Sequence, residues 1–139
     1  MARFNFRLES ILHLYRAQES EAKIALGLSA ADLRLAKARL NTTQSWLPEL
    51  VTRPDIPTPQ RFTLTPGVHA SIELSQLGVD FAEAVVTQRR TELVEAKRNT
   101  ELLERLRTRK LARHNEEAMK REATELLEVS MLMNLWSKT

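Results

Sequence analysis

The chain has 139 residues, 21 lysines and arginines against 18 acids, and a net charge of +3, enough length for one domain and too little charge to argue by itself for nucleic acid. With no cysteine, three glycines, four phenylalanines, two tryptophans and one tyrosine, it excludes disulfides and cysteine-based zinc sites. Alanine, leucine, glutamate, lysine and arginine dominate, the composition of long helices rather than of a sheet or a compact α/β enzyme. No apolar run approaches the ~20 residues that span a bilayer, and the start lacks the apolar core of a secretory signal. Arg3, Arg7 and Arg16 hint at an amphipathic targeting segment, but Glu9 and Glu19 count against it.

The chain opens on "FNFRLESILHLYR", with Phe4 and Phe6 alternating as in a strand before the leucines take up helical spacing. Leu8, Leu12, Tyr15, Glu19, Ala22, Leu26, Ser29, Leu33, Ala36, Leu40, Thr43 and Leu47 then follow at alternating steps of three and four. Most are apolar, so they form a coiled-coil seam. Ala22, Ser29 and Ala36 keep one side of it small, which lets a partner helix come close. The pattern predicts a first helix over 5–47.

All five prolines fall at positions 48, 54, 57, 59 and 66. Proline lacks a backbone donor and disfavours helix in the residue before it. Residues 48–65 therefore read as a loop, with Phe62 and Leu64 tucked onto the helix ends. Thr65 and Pro66 suit an N-cap and a first helical position, which predicts a second helix over 66–136. Its seam runs Ile72, Ser75, Val79, Ala82, Val86, Arg89, Leu93, Ala96, Thr100, Leu103, flanked by Phe81 and Val85, with Gly78 as a weak point. Beyond Leu103, Leu106, Leu111 and Ala118 no longer keep one register, the mark of a stutter. Apolar periodicity returns at Met119, Leu126, Val129, Met133 and Trp136.

The expected fold is all-α: a single domain over 1–139 in which two long helices form an antiparallel coiled-coil hairpin joined by a proline-rich loop. At ~1.5 Å per residue the helices measure roughly 60 and 100 Å. Antiparallel pairing puts Leu8 near Arg109 and leaves everything after about His114 as overhang.

No catalytic constellation, cofactor loop or metal cluster is legible. His13, His69 and His114 are isolated helix-face or surface residues, and no Gly-rich phosphate loop occurs. The expectation is a protein that is not an enzyme. The "RLRTRKLAR" stretch is basic, and Arg98, Arg105, Arg109 and Arg113 share a helix face. It reads either as a solvated face or as a docking stripe for an acidic groove; a basic-zipper reading is weak because the leucines that follow are irregular. Met131, Leu132, Met133, Leu135 and Trp136 make a helix end that is apolar nearly all round. Either they pack on Phe4 and Phe6, or they anchor in a partner. A third apolar surface is expected at the hairpin tip from Trp46, Leu47, Leu50, Leu77, Phe81 and Val85.

The segment "FNFRLESILHLYRAQESEAKIAL" resembles the start of the flagellar export chaperone FliJ family, through Phe4, Phe6, Leu8, Leu12, Arg16 and Glu19. The later "RRTELVEAKRNTELLERLRTRKLARHNEEAMKREATELLE" is similar to the family's charged second helix. The linker is richer in proline than is usual there, and "REATELLEVS" stands where members often carry an acidic-polar motif with glutamine. The resemblance implies a cytoplasmic coiled-coil stalk of bacterial flagellum biogenesis, peripheral at the cytoplasmic face of the inner membrane. Its partners would be the ring of the export ATPase FliI, the export gate protein FlhA and substrate chaperones, with no nucleic acid and no transmembrane segment. Arg98, Arg105, Arg109, Arg113, Met131, Met133 and Trp136 would then face the ATPase ring, and Trp46, Leu50, Leu77 and Phe81 the gate. A virulence secretion stalk and a self-assembling structural coiled coil are the alternatives.

Overall fold

The computed structural model describes residues 3–138. Two helices, α1 (Glu9–Thr52) and α2 (Thr58–Lys138), pack against each other as a helical hairpin, with no strand among the described residues. Neither helix is long and apolar enough to cross a membrane. α1 starts where the Phe6 carbonyl accepts the Glu9 N–H at 3.1 Å and the Leu8 carbonyl accepts the Leu12 N–H at 2.9 Å. Glu9 in the first turn puts a negative charge at the positive end of the helix dipole.

The loop is much shorter than the prolines suggest. α1 runs through Pro48 to Thr52, and α2 starts at Thr58 and runs through Pro66. Pro59 stands in the first turn of α2, where its missing N–H costs nothing. The Pro57 carbonyl accepts the N–H groups of Gln60 and Arg61 and closes that turn. Pro48 and Pro66 each deprive one carbonyl, those of Gln44 and Phe62, of its usual donor. Both of those residues are exposed, so water can take the bond. Phe62 does not tuck onto a helix end: it is 85% exposed on the first turns of α2.

The described residues cluster into two compact units. In the unit formed by Gln18–Ala96, the side chains turned inward are the expected ones: Ala22, Leu26, Ser29, Leu33, Ala36, Leu40, Thr43 and Leu47 on α1, and Ile72, Ser75, Val79, Ala82, Val86, Arg89 and Leu93 on α2, are all buried or half-buried. The seam is thin. Leu50, Val79, Ala82 and Val86 are its buried apolar residues, with Ser29 and Thr43 as its buried polar ones. Ser29 Oγ donates to the Leu26 carbonyl at 2.9 Å, and Thr43 Oγ1 to the Arg39 carbonyl at 2.7 Å. Thr43 also shares a 3.2 Å hydroxyl contact with Ser75 across the two helices. A polar pair inside an apolar seam favours one register, because any slip leaves it facing methyl groups. Arg89 occupies a seam position without burying its charge: its guanidinium turns along α2 to the Glu92 carboxylate at 3.1 Å. The hydrogen bonds from Arg89 and Gln88 hold the Glu92 carboxyl below its usual range.

In the other unit, residues up to Ala17 pack with residues from Lys97 on. Leu12 is fully buried and Phe6 nearly so. Thr100, Leu103, Arg107, Leu111, His114 and Ala118 are the inward positions of α2. Their spacing of three, four, four, three and four contains the stutter that the leucines alone left unresolved. Arg107 and His114 stand where the leucine pattern has gaps.

Gly78 lies inside α2 with open space where a Cβ would stand. Gly78→Ala is expected to raise the stability to urea by about 0.5–1 kcal/mol, through helix propensity alone. Leu12→Ala empties the one large side chain that is fully buried among the described residues and is expected to cost about 2–4 kcal/mol in the same titration.

Candidate interaction surfaces

The junction where α1 begins is built from Phe4, Glu9, His13, Arg107 and His114. Phe4 meets His114 in a tilted ring contact, with centroids 5.6 Å apart and planes at 53°. The Arg107 guanidinium lies over the same Phe4 ring, 5.8 Å from its centroid. Arg107 Nε also donates to Glu9 Oε2 at 2.9 Å. His13 Nε2 sits 3.7 Å from the other Glu9 oxygen. Two turns beyond Glu9 along α1, Arg16 Nε reaches Glu104 Oε1 at 3.4 Å. These ion pairs are partly exposed, so each stabilises by only about 0.2–1 kcal/mol. Their effect is positional. Phe4 pairs with His114 and Glu9 with Arg107, close to the expected meeting of Leu8 with Arg109.

The basic stripe separates into two roles. Arg107, which the one-face reading passed over, turns inward and serves the junction. Arg98, Arg105, Arg109 and Arg113 are exposed, and none has an ion pair or side-chain hydrogen bond to any described residue. Glu101 and Glu104 line the same shallow surface as Arg105 and Arg109, so the stripe is edged by acids rather than purely basic.

Beyond Ala118 every described residue of α2 is exposed. The terminal patch therefore does not pack on Phe4 and Phe6, which are engaged with His114, Arg107 and the start of α1. Met131, Leu132 and Met133 face solvent, and Trp136 is 82% exposed. Val129, Leu132, Met133 and Trp136 border one shallow apolar concavity. A second one, beside Phe4, is lined by His114, Ala118, Met119 and Glu122.

The expected tip surface is redistributed. Leu50 is only 8% exposed and belongs to the seam, because α1 continues past Pro48 and carries Leu50 inward. Trp46 is 43% exposed on α1. Leu77 and Phe81 join Leu74 in an exposed strip along α2, at steps of three and four. Val51 and Phe62, close to the actual turn, are strongly exposed as well, and the proline pattern had hidden them by reading this stretch as loop.

Comparison of the chain with protein-family models, with curated proteins and with solved structures finds no match.

A double-mutant cycle of Phe4→Leu and Arg107→Met is expected to show a coupling of about 0.5–1 kcal/mol in urea unfolding, with additivity as the contrary result. Phe4→Ala combined with Phe6→Ala is expected to raise amide hydrogen exchange around 9–16 and 100–114 while leaving 70–90 unchanged. Uniform protection throughout would contradict the junction's role.

Proposed function

We propose that this protein is a non-catalytic coiled-coil stalk of the FliJ type, joining the export ATPase ring to the export gate of a flagellar type III secretion apparatus. The observation that carries this reading is the end of α2: from Met119 to Lys138 the helix has an exposed surface on every side, and its last turns are rich in methionine, leucine and tryptophan. A helix that is apolar all round is stable in water only when something covers it. Methionine and tryptophan suit a deep and adaptable contact. The exposed arginines Arg98, Arg105, Arg109 and Arg113 add a charge that steers such a helix into an acidic ring lumen. The resemblance of Phe4–Glu19 to the FliJ family's opening supplies the identity of the ring.

On this reading Met131, Met133 and Trp136 enter the ATPase ring with the four arginines, and Trp46, Leu77 and Phe81 meet the gate. Leu50 drops from the gate surface because the seam buries it. The protein works in the cytoplasm, at the inner face of the membrane, and substrate chaperones are further partners.

The test is binding to the export ATPase and to the cytoplasmic part of the gate from the same organism, with ATP hydrolysis followed in parallel. Binding with stimulated hydrolysis is expected. Arg105→Glu/Arg109→Glu/Arg113→Glu is expected to weaken ATPase binding about tenfold or more and to flatten its salt dependence. Unchanged affinity in that variant would remove the stripe from the interface. Absence of binding to either partner by a helical, folded chain would sink the stalk reading itself.

A further inference from the structure

α1 carries a second apolar strip that its pairing with α2 leaves uncovered. Ile24, Leu28, Ala31, Leu35 and Ala38 follow one another at steps of four, three, four and three, with Glu21 and Thr42 continuing the spacing at either end. All seven are exposed; Ile24 is 65% and Leu28 64% exposed. At ~100° per residue the strip centres on the side of α1 opposite the seam of Leu26, Ser29, Leu33 and Ala36. A solvent-facing side of a helix hairpin has no physical need for a heptad of its own. Two heptad strips on opposite sides are what a helix carries when it pairs on both.

We infer that this strip is a homotypic interface, on which a second copy of the chain pairs α1 against α1 in antiparallel, two-fold fashion. Charge and shape select this occupant. With Leu28 opposite the copy's Ala31, Ile24 meets the copy's Leu35, and Glu21 meets the copy's Ala38 beside its Arg39. Leu28 thus faces an alanine, Ile24 and Leu35 meet as an aliphatic pair, and Glu21 pairs with Arg39 twice by symmetry. Within one chain neither Glu21 nor Arg39 has an ion pair or side-chain hydrogen bond to a described residue. Gly27, on the border of the strip, has open space where a Cβ would stand, so the neighbouring helix meets no obstruction there. A parallel pairing in register would instead set Glu21 against Glu21 and Arg39 against Arg39. Two-fold pairing is closed, so it ends at the dimer. Three heptads are short against the roughly 800 Å² per partner of a stable interface, so the association is reversible. It does not rest on the stalk reading, and it leaves the end of α2 and the Leu74–Phe81 strip free.

Sedimentation equilibrium of the full chain between about 5 and 500 µM tests the inference. The mass is expected to rise from one chain to two and to stop there. Leu28→Lys/Leu35→Lys should hold the chain monomeric with its helical circular dichroism unchanged. Glu21→Arg should weaken dimerisation severalfold, and adding Arg39→Glu should restore it, a rescue that a loss of folding does not produce. Because the chain has no cysteine, single Ile24→Cys and Leu35→Cys chains report the direction. Mixed, they should form a disulfide-linked dimer; each alone should cross-link poorly, its own partner lying roughly 16 Å away along the axis. A monomer throughout, masses beyond the dimer, self-linking of Ile24→Cys, or a dimer that survives Leu28→Lys/Leu35→Lys and disappears with Met133→Asp/Trp136→Asp would each overturn it.

Discussion

Phe4 grips α2 between Arg107 and His114, and the Glu9 carboxylate holds the same arginine at 2.9 Å. Individually these contacts are weak, at or near the protein surface. They matter because a two-helix hairpin has a single seam, and sliding one helix along the other by a heptad costs little in apolar burial. A slide by one heptad would bring His114 to the place of Arg107, and the Glu9 carboxylate would lose its guanidinium. The grip therefore decides which part of α2 is covered, and everything past Ala118 is exposed as a consequence.

Narrow seams govern the rest. The inward positions of α1 alternate leucine with alanine, serine and threonine, so the helices need not stand far apart and little apolar area is hidden. The Thr43–Ser75 hydroxyl contact adds specificity more than stability. With few large side chains used internally, many leucines, isoleucines and phenylalanines are left facing water: Ile24, Leu28 and Leu35 on α1, Leu74, Leu77 and Phe81 on α2. A protein that distributes its apolar residues this way is built to be covered by others. Separate strips on separate faces allow more than one kind of neighbour.

Polar chemistry is sparse by comparison. Among the described residues no group of three or more histidines and carboxylates converges, and the ion pairs run along one helix except Glu9–Arg107, in the grip on Phe4, and Arg16–Glu104 between α1 and α2. Arg107 shows how a charged side chain can hold a seam position: its head finds both a carboxylate and an aromatic face.

The helical character, the two seams and the approximate antiparallel register were legible in the spacing of residues such as Leu12, Leu26, Val79 and Val86, because hydrophobic periodicity is local and a seam has one period. The boundaries were not. Pro48 and Pro66 read as helix ends, yet a long helix already stabilised on both sides tolerates one missing hydrogen bond where water reaches the orphaned carbonyl. That shift turned Leu50 inward and left Phe62 outside. Arg107 and His114 were illegible as seam residues, because their place depends on Phe4 and Glu9, about a hundred residues away in sequence. By itself the sequence determined two amphipathic helices and an apolar C-terminal end. Only the tertiary structure decided which of those apolar residues have a partner within the chain, since that depends on the register of one helix against the other, a property neither helix possesses alone.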